Sequence, residues 1–321
     1  RGEYVVLLNN ATAIISECWL DEMLNHAQRP EVGIVGAKLL YPNGHVQHAG
    51  VVLGLRGPAD HPFIDESIDA VGYMHRLQVV QNYTAVTAAC LMMRKELYLT
   101  VGGMDEQAFK VSYNDVDLCL KAHDAGFLIV WTPHAVVMHE GSISQKAVDV
   151  ATQEAKRARF VGEQDALYGK WLSLLANDPA YNKNLSLNGK GFELETEVPL
   201  NWRPLVWRPQ PIVLAHPADA WGCGNYRITK PFSAMAAAGL IDGMLAKGLL
   251  HVMDLERYDP DVIVLQRQTA DDQLEAIRRM QAFSRAFKVY ELDDYLPNLP
   301  IKSVHRKDMP KDVMRSLRRG L

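Results

Sequence analysis

Short apolar runs alternate with amphipathic stretches along this chain, and that alternation predicts an α/β protein. The first apolar run, residues 5–8, stops at Asn9 and Asn10, which is typical of a buried strand with function at its carboxyl end. Further strands are predicted over residues 32–40, 46–53, 85–93, 127–131 and 135–138. Helices are predicted after an N-cap at Ser16, after Arg94, over residues 115–125 up to Gly126, and over residues 145–178.

A second strand–helix pattern begins after Pro211 and predicts a separate parallel sheet. Its predicted strands are residues 212–215, 261–265 and 288–292, and its predicted helices are residues 226–238 and 271–287. The polar, proline-bearing residues 179–210 indicate a linker between the two patterns, and residues 54–80 indicate a surface loop. We therefore expect two lobes, residues 1–178 and 211–321, each an incomplete α/β sheet.

Composition excludes some classes of function. The net charge of −4 over 321 residues is not that of a nucleic-acid-binding protein. No apolar run reaches the ~18 residues of a membrane helix. The four cysteines lack metal-site spacing and favour a reducing compartment, so we expect a cytoplasmic location, with peripheral association at the inner membrane as an option.

Both ends of the sequence suggest a piece of a longer polypeptide. The first strand begins with three residues before Tyr4, and the basic helical stretch 313–319 has no cap behind it. Strand edges left uncovered by such a cut would favour dimerisation.

Candidate chemistry concentrates around Asn114-Asp115-Val116-Asp117. The acidic glycine turn Gly102-Gly103-Met104-Asp105-Glu106 precedes it, and Thr132-Pro133-His134-Ala135 and then His139-Glu140-Gly141-Ser142 follow it. A carboxylate can take a proton from an attacking hydroxyl, and a histidine can help hold a divalent metal against a diphosphate. The alternative interpretation is a solvated acidic helix start.

The order and spacing of these motifs resemble the C-terminal half of a family 2 glycosyltransferase of the GT-A fold. The resemblance implies a truncated GT-A mixed sheet, with Asp115 as the general base. Asn114 replaces the commoner glutamate, and Asp117 would orient its neighbours or meet a basic partner. At a helix start the macrodipole stabilises the charged form of Asp115, although it could also be simply an N-cap.

Substrate contacts are expected at Asn9 and Asn10, in the glycine turn, and at Asn114 and Asp117 beside the general base. Glycine lets a backbone approach a ligand closely, which favours Gly103, and the carboxylates of Asp105 and Glu106 could accept hydrogen bonds from sugar hydroxyls. The alternative is that the asparagines and Asp105 only shape their turns.

The resemblance also implies a divalent metal, Mn²⁺ or Mg²⁺, with His139 as a ligand. In the family, the first strand often ends in Asn-Asn-Asp-Thr, whose aspartate helps bind the metal. Here Ala11 occupies that position, and a methyl group cannot ligate a hard cation, so we expect weakened binding. An engineered inactive variant, a natural inactive copy and a metal held by other groups all remain open. His48 also matches this branch of the family, with no chemistry assigned to it.

In the second half, Gly222-Cys223-Gly224-Asn225-Tyr226-Arg227 opens a helix after a strand and can present N–H groups to phosphate. Glu291-Leu292-Asp293-Asp294 ends a later strand. Together they resemble the N-terminal half of a GT-B glycosyltransferase, which implies a Rossmann-like lobe. A purely structural module remains the alternative.

The resemblance as a whole implies a bacterial bifunctional enzyme of surface-polysaccharide synthesis. Its partners would be a nucleotide-diphospho-sugar donor, a glycan or lipid-linked glycan acceptor, and a second copy of the chain. The first domain would invert the sugar configuration, although a fragment lacking the base-binding half could be inactive. The competing interpretation is a non-catalytic glycan-binding or scaffolding domain; a nucleotide-sugar hydrolase would need a water-activating metal site that the sequence does not show.

Overall fold

The computed structural model describes residues 2–141, 150–205 and 207–293. The chain divides into two compact units, the first ending at Thr196 and the second beginning at Glu197. Within the described ranges, no helix combines the length and the apolar character needed to cross a membrane.

A mixed seven-stranded sheet forms the centre of the first unit. The strands of this unit are β1 (Tyr4–Leu8), β2 (Thr12–Ile14), β3 (Val32–Leu40), β4 (Val46–His48), β5 (Val52–Leu53), β6 (Ala59–Asp60), β7 (Gln81–Tyr83), β8 (Cys90–Arg94) and β9 (Leu128–His139). The strand order in the sheet is β1-β8-β3-β9-β2, with β4 paired to β3 and β7 paired to β9, while β5 and β6 form a small sheet of their own. Because β3 has the sequence VGIVGAKLL and is buried at every position, it is the middle of the core.

Four helices accompany this sheet. The helices are α1 (Trp19–Ala27), α2 (Lys95–Thr100), α3 (Asn114–Asp124) and α4 (Val150–Ala176), with a 3₁₀ turn at Tyr73–His75. α1 buries Met23 and Ala27 in the cluster that also contains Val35 and Val137, so its apolar face covers β3 and β9. The predicted helices 115–125 and 145–178 are confirmed in their described parts.

Several predicted boundaries were wrong. The two predicted strands around Pro133 are one strand, β9, because a register shift opposite Ala37 and Lys38 absorbs the proline. Ser16 does not cap a helix: its hydroxyl accepts a hydrogen bond from the Val136 amide at 3.1 Å, and α1 begins at Trp19.

Two predicted strands proved shorter. The stretch 46–53 divides into β4, which pairs with β3, and β5, which pairs with β6 instead. Gly50 lies at this break with a φ of +91°, and a Cβ there would lie 2.4 Å from the Tyr83 ring. The stretch 85–93 becomes regular only at Cys90, which leaves residues 87–89 as a loop before β8.

The predicted linker begins later than expected. Tyr181, Leu185 and Leu187 are buried, and residues up to Thr196 belong to the first unit. Phe192 stacks on Phe63 at a centroid distance of 5.0 Å. These apolar residues follow no helix or strand period, which is why the sequence pattern did not reveal them.

The carboxyl ends of β1, β3 and β9 lie at one edge of the sheet. β8 is antiparallel to both β1 and β3, and β3 is parallel to β9. Leu8 therefore pairs with Cys90 at the start of β8, and Thr12 at the start of β2 pairs with His139 at the end of β9. The loops after β1 and before β8 meet at this edge.

The second unit contains a parallel four-stranded sheet. Its strands are β10 (Ile212–His216), β11 (Asp242–Leu245), β12 (Val262–Gln266) and β13 (Phe287–Glu291), and their order in the sheet is β11-β10-β12-β13. Its helices are α5 (Gly222–Gly224), α6 (Lys230–Ala237), α7 (Val252–Tyr258) and α8 (Asp271–Phe283), with a π-helix at Asn225–Thr229 and a 3₁₀ turn at Val198–Leu200.

The parallel sheet confirms the predicted strand–helix alternation after Pro211. The sequence pattern missed β11 and α7, which are short, and placed the end of α8 four residues too late. Asp294 and the basic stretch 313–319 lie outside the described residues. The Rossmann-like and GT-B assignments of this unit stay predictions.

Candidate functional site

Asp115 is the second residue of α3 and lies just after a strained backbone position. Tyr113, which precedes the helix, has a φ of +64°, a conformation that costs a non-glycine residue free energy and is often found at functional sites. The Tyr113 ring packs beside Phe160 of α4 at a centroid distance of 5.8 Å. Contacts from α4 thus help hold the entry to α3.

The Asp115 carboxylate is tied to the loop before β8. Its Oδ2 accepts hydrogen bonds from the Thr87 hydroxyl at 3.0 Å and the Ala88 amide at 3.1 Å. Its Oδ1 accepts one from the Val116 amide at 2.9 Å, and the side chain is partly exposed. Asn114 is also partly exposed, and its side-chain oxygen accepts from the Asp115 amide at 2.8 Å. Oδ1 keeps lone-pair capacity with which it could accept a proton.

Asp117 occupies a different environment from Asp115. Its side chain is fully buried and accepts from Lys170 Nζ at 2.6 Å and Trp171 Nε1 at 2.9 Å, while Lys121 Nζ lies 2.9 Å from its other oxygen. The expectation that Asp117 contacts substrate does not fit this burial. It is a structural anion that joins α3 to α4.

The glycine turn before α3 is held by the same lysines. Gly103 has a φ of +60°, and a Cβ there would lie 2.9 Å from the Tyr98 ring, so both the backbone conformation and the space favour glycine. Its carbonyl accepts from Lys121 Nζ at 2.9 Å.

Asp105 shapes the turn that follows. Its Oδ1 accepts from the Ala108 amide at 3.0 Å and the Gln107 amide at 3.2 Å. The bond from Ala108 is the main cause that lowers the pKa of Asp105. Glu106 is exposed at this turn, and Lys170 Nζ lies 3.9 Å from Asp105 Oδ2.

Glu163 of α4 is a residue that sequence reasoning missed. Its Oε1 accepts from the Lys110 and Val111 amides, both at 3.0 Å, and its Oε2 accepts from the Ser112 amide at 3.1 Å. The residue is 3% exposed. A helical glutamate carries no local signal of this role, because its three donors lie about fifty residues away in sequence.

At the end of β1, the asparagines form a turn. Asn9 Oδ1 accepts from the Ala11 amide at 3.0 Å, an Asx turn, and the Asn9 carbonyl accepts from the Thr12 hydroxyl at 2.6 Å. Both Asn9 and Asn10 are exposed. Asn9 therefore shapes its own turn, as the alternative interpretation expected. A ligand contact by Asn10 stays a prediction.

His139 ends β9 with one ring nitrogen occupied. Its Nδ1 lies 2.7 Å from Gln47 Oε1, and Gln47 Nε2 donates to the His139 carbonyl at 3.1 Å. Since an amide oxygen only accepts, Nδ1 carries the proton and Nε2 is the nitrogen left with a lone pair. Partial burial lowers the pKa of His139, which favours this neutral form.

The described side chains do not complete a divalent metal site. In the described part of the chain, no group of three histidine, cysteine or acidic side chains is placed to hold a metal ion. Ala11 supplies no ligand atom, and Asn9 Oδ1 is already used by its own turn. A single imidazole from His139 is not the oxygen-rich set that Mg²⁺ or Mn²⁺ prefers.

A continuous run of hydrogen bonds joins the predicted site segments. The Asn9 amide donates to Ala89 at 3.0 Å, next to the Ala88 amide that donates to Asp115. On the other side, the Glu140 amide donates to the Ala11 carbonyl at 3.0 Å. The sheet edge therefore brings the segments around Asn9, Asp115 and His139 together. A single cleft shared by Asp115 and His139 stays a prediction.

A pair of histidines lies behind the Asp115 loop. His48 is 1% exposed, and its Nδ1 is 2.8 Å from Nδ1 of His61, which is itself partly exposed. The Thr87 amide donates to His48 Nε2 at 3.5 Å. His48 Nε2 thus accepts, which places its proton on Nδ1 and makes His61 Nδ1 the acceptor. Both rings must be neutral for this arrangement to hold.

Burial lowers the pKa of His48 well below its usual value. It also lowers the pKa of His61, although the negative charge of Asp115 opposes that shift. We expect the free energy of unfolding to fall as the pH drops below about 6.5. There the unfolded chain binds protons at the ordinary histidine pKa, while the folded pair does not bind them until lower pH. The slope would approach about 1.4 kcal/mol per pH unit for each histidine.

Denaturant unfolding between about pH 7.5 and pH 5.5 measures this slope. His48→Gln should flatten it, while His75→Gln, at an exposed position, should leave it unchanged. An equal slope in the wild type and His48→Gln would contradict the assignment of neutral rings.

The chain is similar in sequence to several known proteins. No protein-family model matches the chain. It is 47% identical over 196 residues to an uncharacterized protein, y4gI, of Sinorhizobium fredii, covering 61% of this chain and 21% of that protein. It is 39% identical over 193 residues to the O-antigen biosynthesis protein RfbC of Myxococcus xanthus, covering 58% and 14%.

A third relative is the N-acetylglucosaminyl-diphospho-decaprenol L-rhamnosyltransferase of Mycobacterium tuberculosis. The identity is 30% over 128 residues, covering 37% of this chain and 41% of that enzyme. The chain thus spans less than half the length of each of these three relatives.

Proposed function

We propose that the first unit is a family 2 glycosyltransferase domain of surface-polysaccharide biosynthesis. It would transfer a sugar from a nucleotide-diphospho-sugar to a glycan acceptor. Similarity to proteins named for O-antigen biosynthesis and for rhamnosyl transfer supports this proposal. The mixed central sheet with helices is consistent with a GT-A-like fold.

The observation that carries the proposal is the setting of Asp115. Its carboxylate lies at the sheet edge where β1, β3 and β9 end, fixed by Thr87 and Ala88. Ligands of open sheets gather outside the carboxyl ends of strands. The neighbouring Asp117 is neutralised by lysines and buried, so Asp115 is the carboxylate of this motif that can meet a substrate.

In the proposed reaction, an acceptor hydroxyl approaches Oδ1 of Asp115. The carboxylate takes the hydroxyl proton as the oxygen attacks the anomeric carbon of the donor sugar. The bond from that carbon to the diphosphate oxygen breaks on the opposite face, its electron pair leaves with the nucleoside diphosphate, and the configuration inverts. Thr87 and Ala88 hold the base in one orientation through this step.

The test is a transfer assay on this chain and on the polypeptide at its natural length. Nucleotide-diphospho-sugars are supplied with glycan acceptors, and the released nucleoside diphosphate is measured. Acceptor-dependent release that is strongly reduced by Asp115→Asn would support the proposal. Acceptor-dependent release that Asp115→Asn leaves at the wild-type rate would refute the assigned mechanism.

The second candidate is a non-catalytic glycan-binding or scaffolding domain, and Ala11 favours it. If the wild-type polypeptide at natural length transfers no sugar while the Ala11→Asp variant does, position 11 blocks a transferase site. If neither form transfers sugar but the immobilised polypeptide retains glycan oligosaccharides on an affinity column, the protein is better described as a glycan-binding module.

A metal-binding experiment tests the effect of position 11 directly. We expect weak Mn²⁺ or Mg²⁺ binding in the wild type and stronger binding in Ala11→Asp, because a carboxylate is a ligand that these cations prefer. Adding His139→Ala to Ala11→Asp should weaken binding again. Ala13→Asp, an exposed position in β2, is the matched control. Tight binding in the wild type that survives His139→Ala would contradict this assignment.

Three further expectations belong to the proposal. We propose a homodimer, a GT-B-like role for the second unit, and a cytoplasmic location with the option of peripheral membrane association. Size measurement in solution, donor binding by the second unit and cell fractionation test them in turn.

A further inference from the structure

A cavity of about 500 Å³ lies in the second unit, outside every motif singled out above. Its volume is within the usual range for small-molecule sites. The wall is built from the segments that follow β10, β11 and β12 and from the first turns of α8. The cavity therefore lies at the carboxyl edge of the parallel sheet.

The strand order gives this edge a topological switch point. β10 connects to β11 on one side, and the chain then returns past β10 to place β12 on the other side. The crevice between the carboxyl ends of two such strands is where open α/β sheets bind ligands. His216 ends β10, and Gln268 follows the end of β12; both line the cavity.

A buried imidazole at this point has unused hydrogen-bonding capacity. His216 is 2% exposed; its ring lies near the Gly248 backbone, but neither ring nitrogen makes a hydrogen bond of good geometry to a described residue. Leaving a buried polar group unpaired is unfavourable, and a polar ligand that pairs with the imidazole would offset part of that cost.

The charge of the wall argues against an anionic ligand. Lys247 and Arg279 are balanced by Asp272 and Glu275, and Arg279 lies 3.6 Å from Glu275. Burial lowers the pKa of His216 to about 4, so its ring is neutral near pH 7, although the nearby Gly248 backbone opposes that shift. A diphosphate would find no net positive field here.

The remaining wall mixes apolar and hydrogen-bonding groups. Ala246, Leu249 and Leu250 supply apolar surface beside the imidazole of His216 and the amide of Gln268. A sugar ring presents the same combination, with apolar C–H faces and hydroxyl edges. We propose that this cavity binds an uncharged sugar residue, giving the second unit a glycan-recognition site separate from the Asp115 site. The ligand class comes from the wall and does not require sugar transfer by the first unit.

Ligand-detected NMR on the whole chain tests this proposal. The probes are methyl α-L-rhamnopyranoside, methyl β-D-glucopyranoside and N-acetyl-D-glucosamine, with uridine diphosphate as the anionic comparison. At least one sugar should bind the wild type with a Kd no weaker than about 10 mM. The His216→Phe and Ala276→Leu variants should bind it at least tenfold more weakly.

The two variants act differently. His216→Phe keeps a planar ring but removes both nitrogens, whereas Ala276→Leu fills the cavity from α8 and removes no polar group. Ala236→Leu is the matched control, because it is the same change at an exposed position of α6 outside the cavity. If His216→Phe unfolds at a clearly lower temperature than the wild type, sugar binding by Ala276→Leu alone is used to test the proposal.

Three results would overturn the proposal: binding of uridine diphosphate without any sugar, sugar binding that Ala276→Leu leaves unchanged, and no binding by any probe. None of these outcomes depends on transfer activity. A failure here is therefore distinguishable from failure of the glycosyltransferase proposal, whose test is Asp115.

Discussion

Replacement of Asp115 by asparagine is expected to lower sugar-transfer turnover by roughly 10²–10⁴-fold, the usual contribution of general acid–base catalysis. An asparagine side chain has nearly the same shape, and its oxygen can still accept from Thr87 and Ala88. It cannot take the proton of an acceptor hydroxyl. The loss should therefore appear in kcat, with donor affinity little changed.

Asp124→Asn is the matched control for this variant. It is the same substitution in the same helix, at the exposed end of α3 away from the Thr87 loop. We expect it to transfer sugar at the wild-type rate. Wild-type turnover in Asp115→Asn, measured at saturating donor and acceptor, would remove Asp115 from the role of base and leave it as a residue that only fixes the start of α3.

The strand pattern was readable where apolar residues form a nearly continuous run. β3, β10 and β12 are such runs, and the sequence indicates them directly. The pattern was misleading where tertiary contacts override it. Pro133 suggests two strands, but the register shift opposite Ala37 and Lys38 lets β9 continue through it.

Only part of the candidate site could be predicted from the sequence. The motif around Asp115 could be read because its residues are adjacent in sequence and match a family pattern. The groups that fix it could not be read in this way, since Thr87 and Glu163 lie far from it in sequence and act through backbone amides or single hydrogen bonds. The opposite environments of Asp115 and Asp117, two residues apart, follow from which face of α3 meets α4.

Removal of the Glu163 carboxylate is expected to destabilise the first unit more than any other single change considered above. The three amides of Lys110, Val111 and Ser112 would lose an acceptor whose own side chain is buried, although the hydrogen bonds themselves are only partly buried. An unsatisfied buried donor costs about 1–3 kcal/mol. Some of these amides can reach water once the side chain is gone, so we expect Glu163→Ala to lower the free energy of unfolding by about 2–4 kcal/mol.

The same substitution should also impair any transfer reaction, because residues 110–112 lead directly into Tyr113, Asn114 and Asp115. If the loop loses its anchor, the strained backbone at Tyr113 is no longer held, and the base loses its fixed orientation. Glu163→Gln keeps one oxygen acceptor but presents an amide group to the remaining donors, so its effect should be intermediate.

Amide hydrogen exchange of peptides from the first unit measures the change in stability of that unit. Glu154→Ala is the control, since it removes the same side chain from an exposed position of α4. It should unfold like the wild type. If Glu163→Ala matches Glu154→Ala in stability, then the three amides find other acceptors and α4 does not hold the loop. If it is destabilised but keeps full turnover, the loop and the base are independent, and the orientation of Asp115 rests on Thr87 and Ala88 alone.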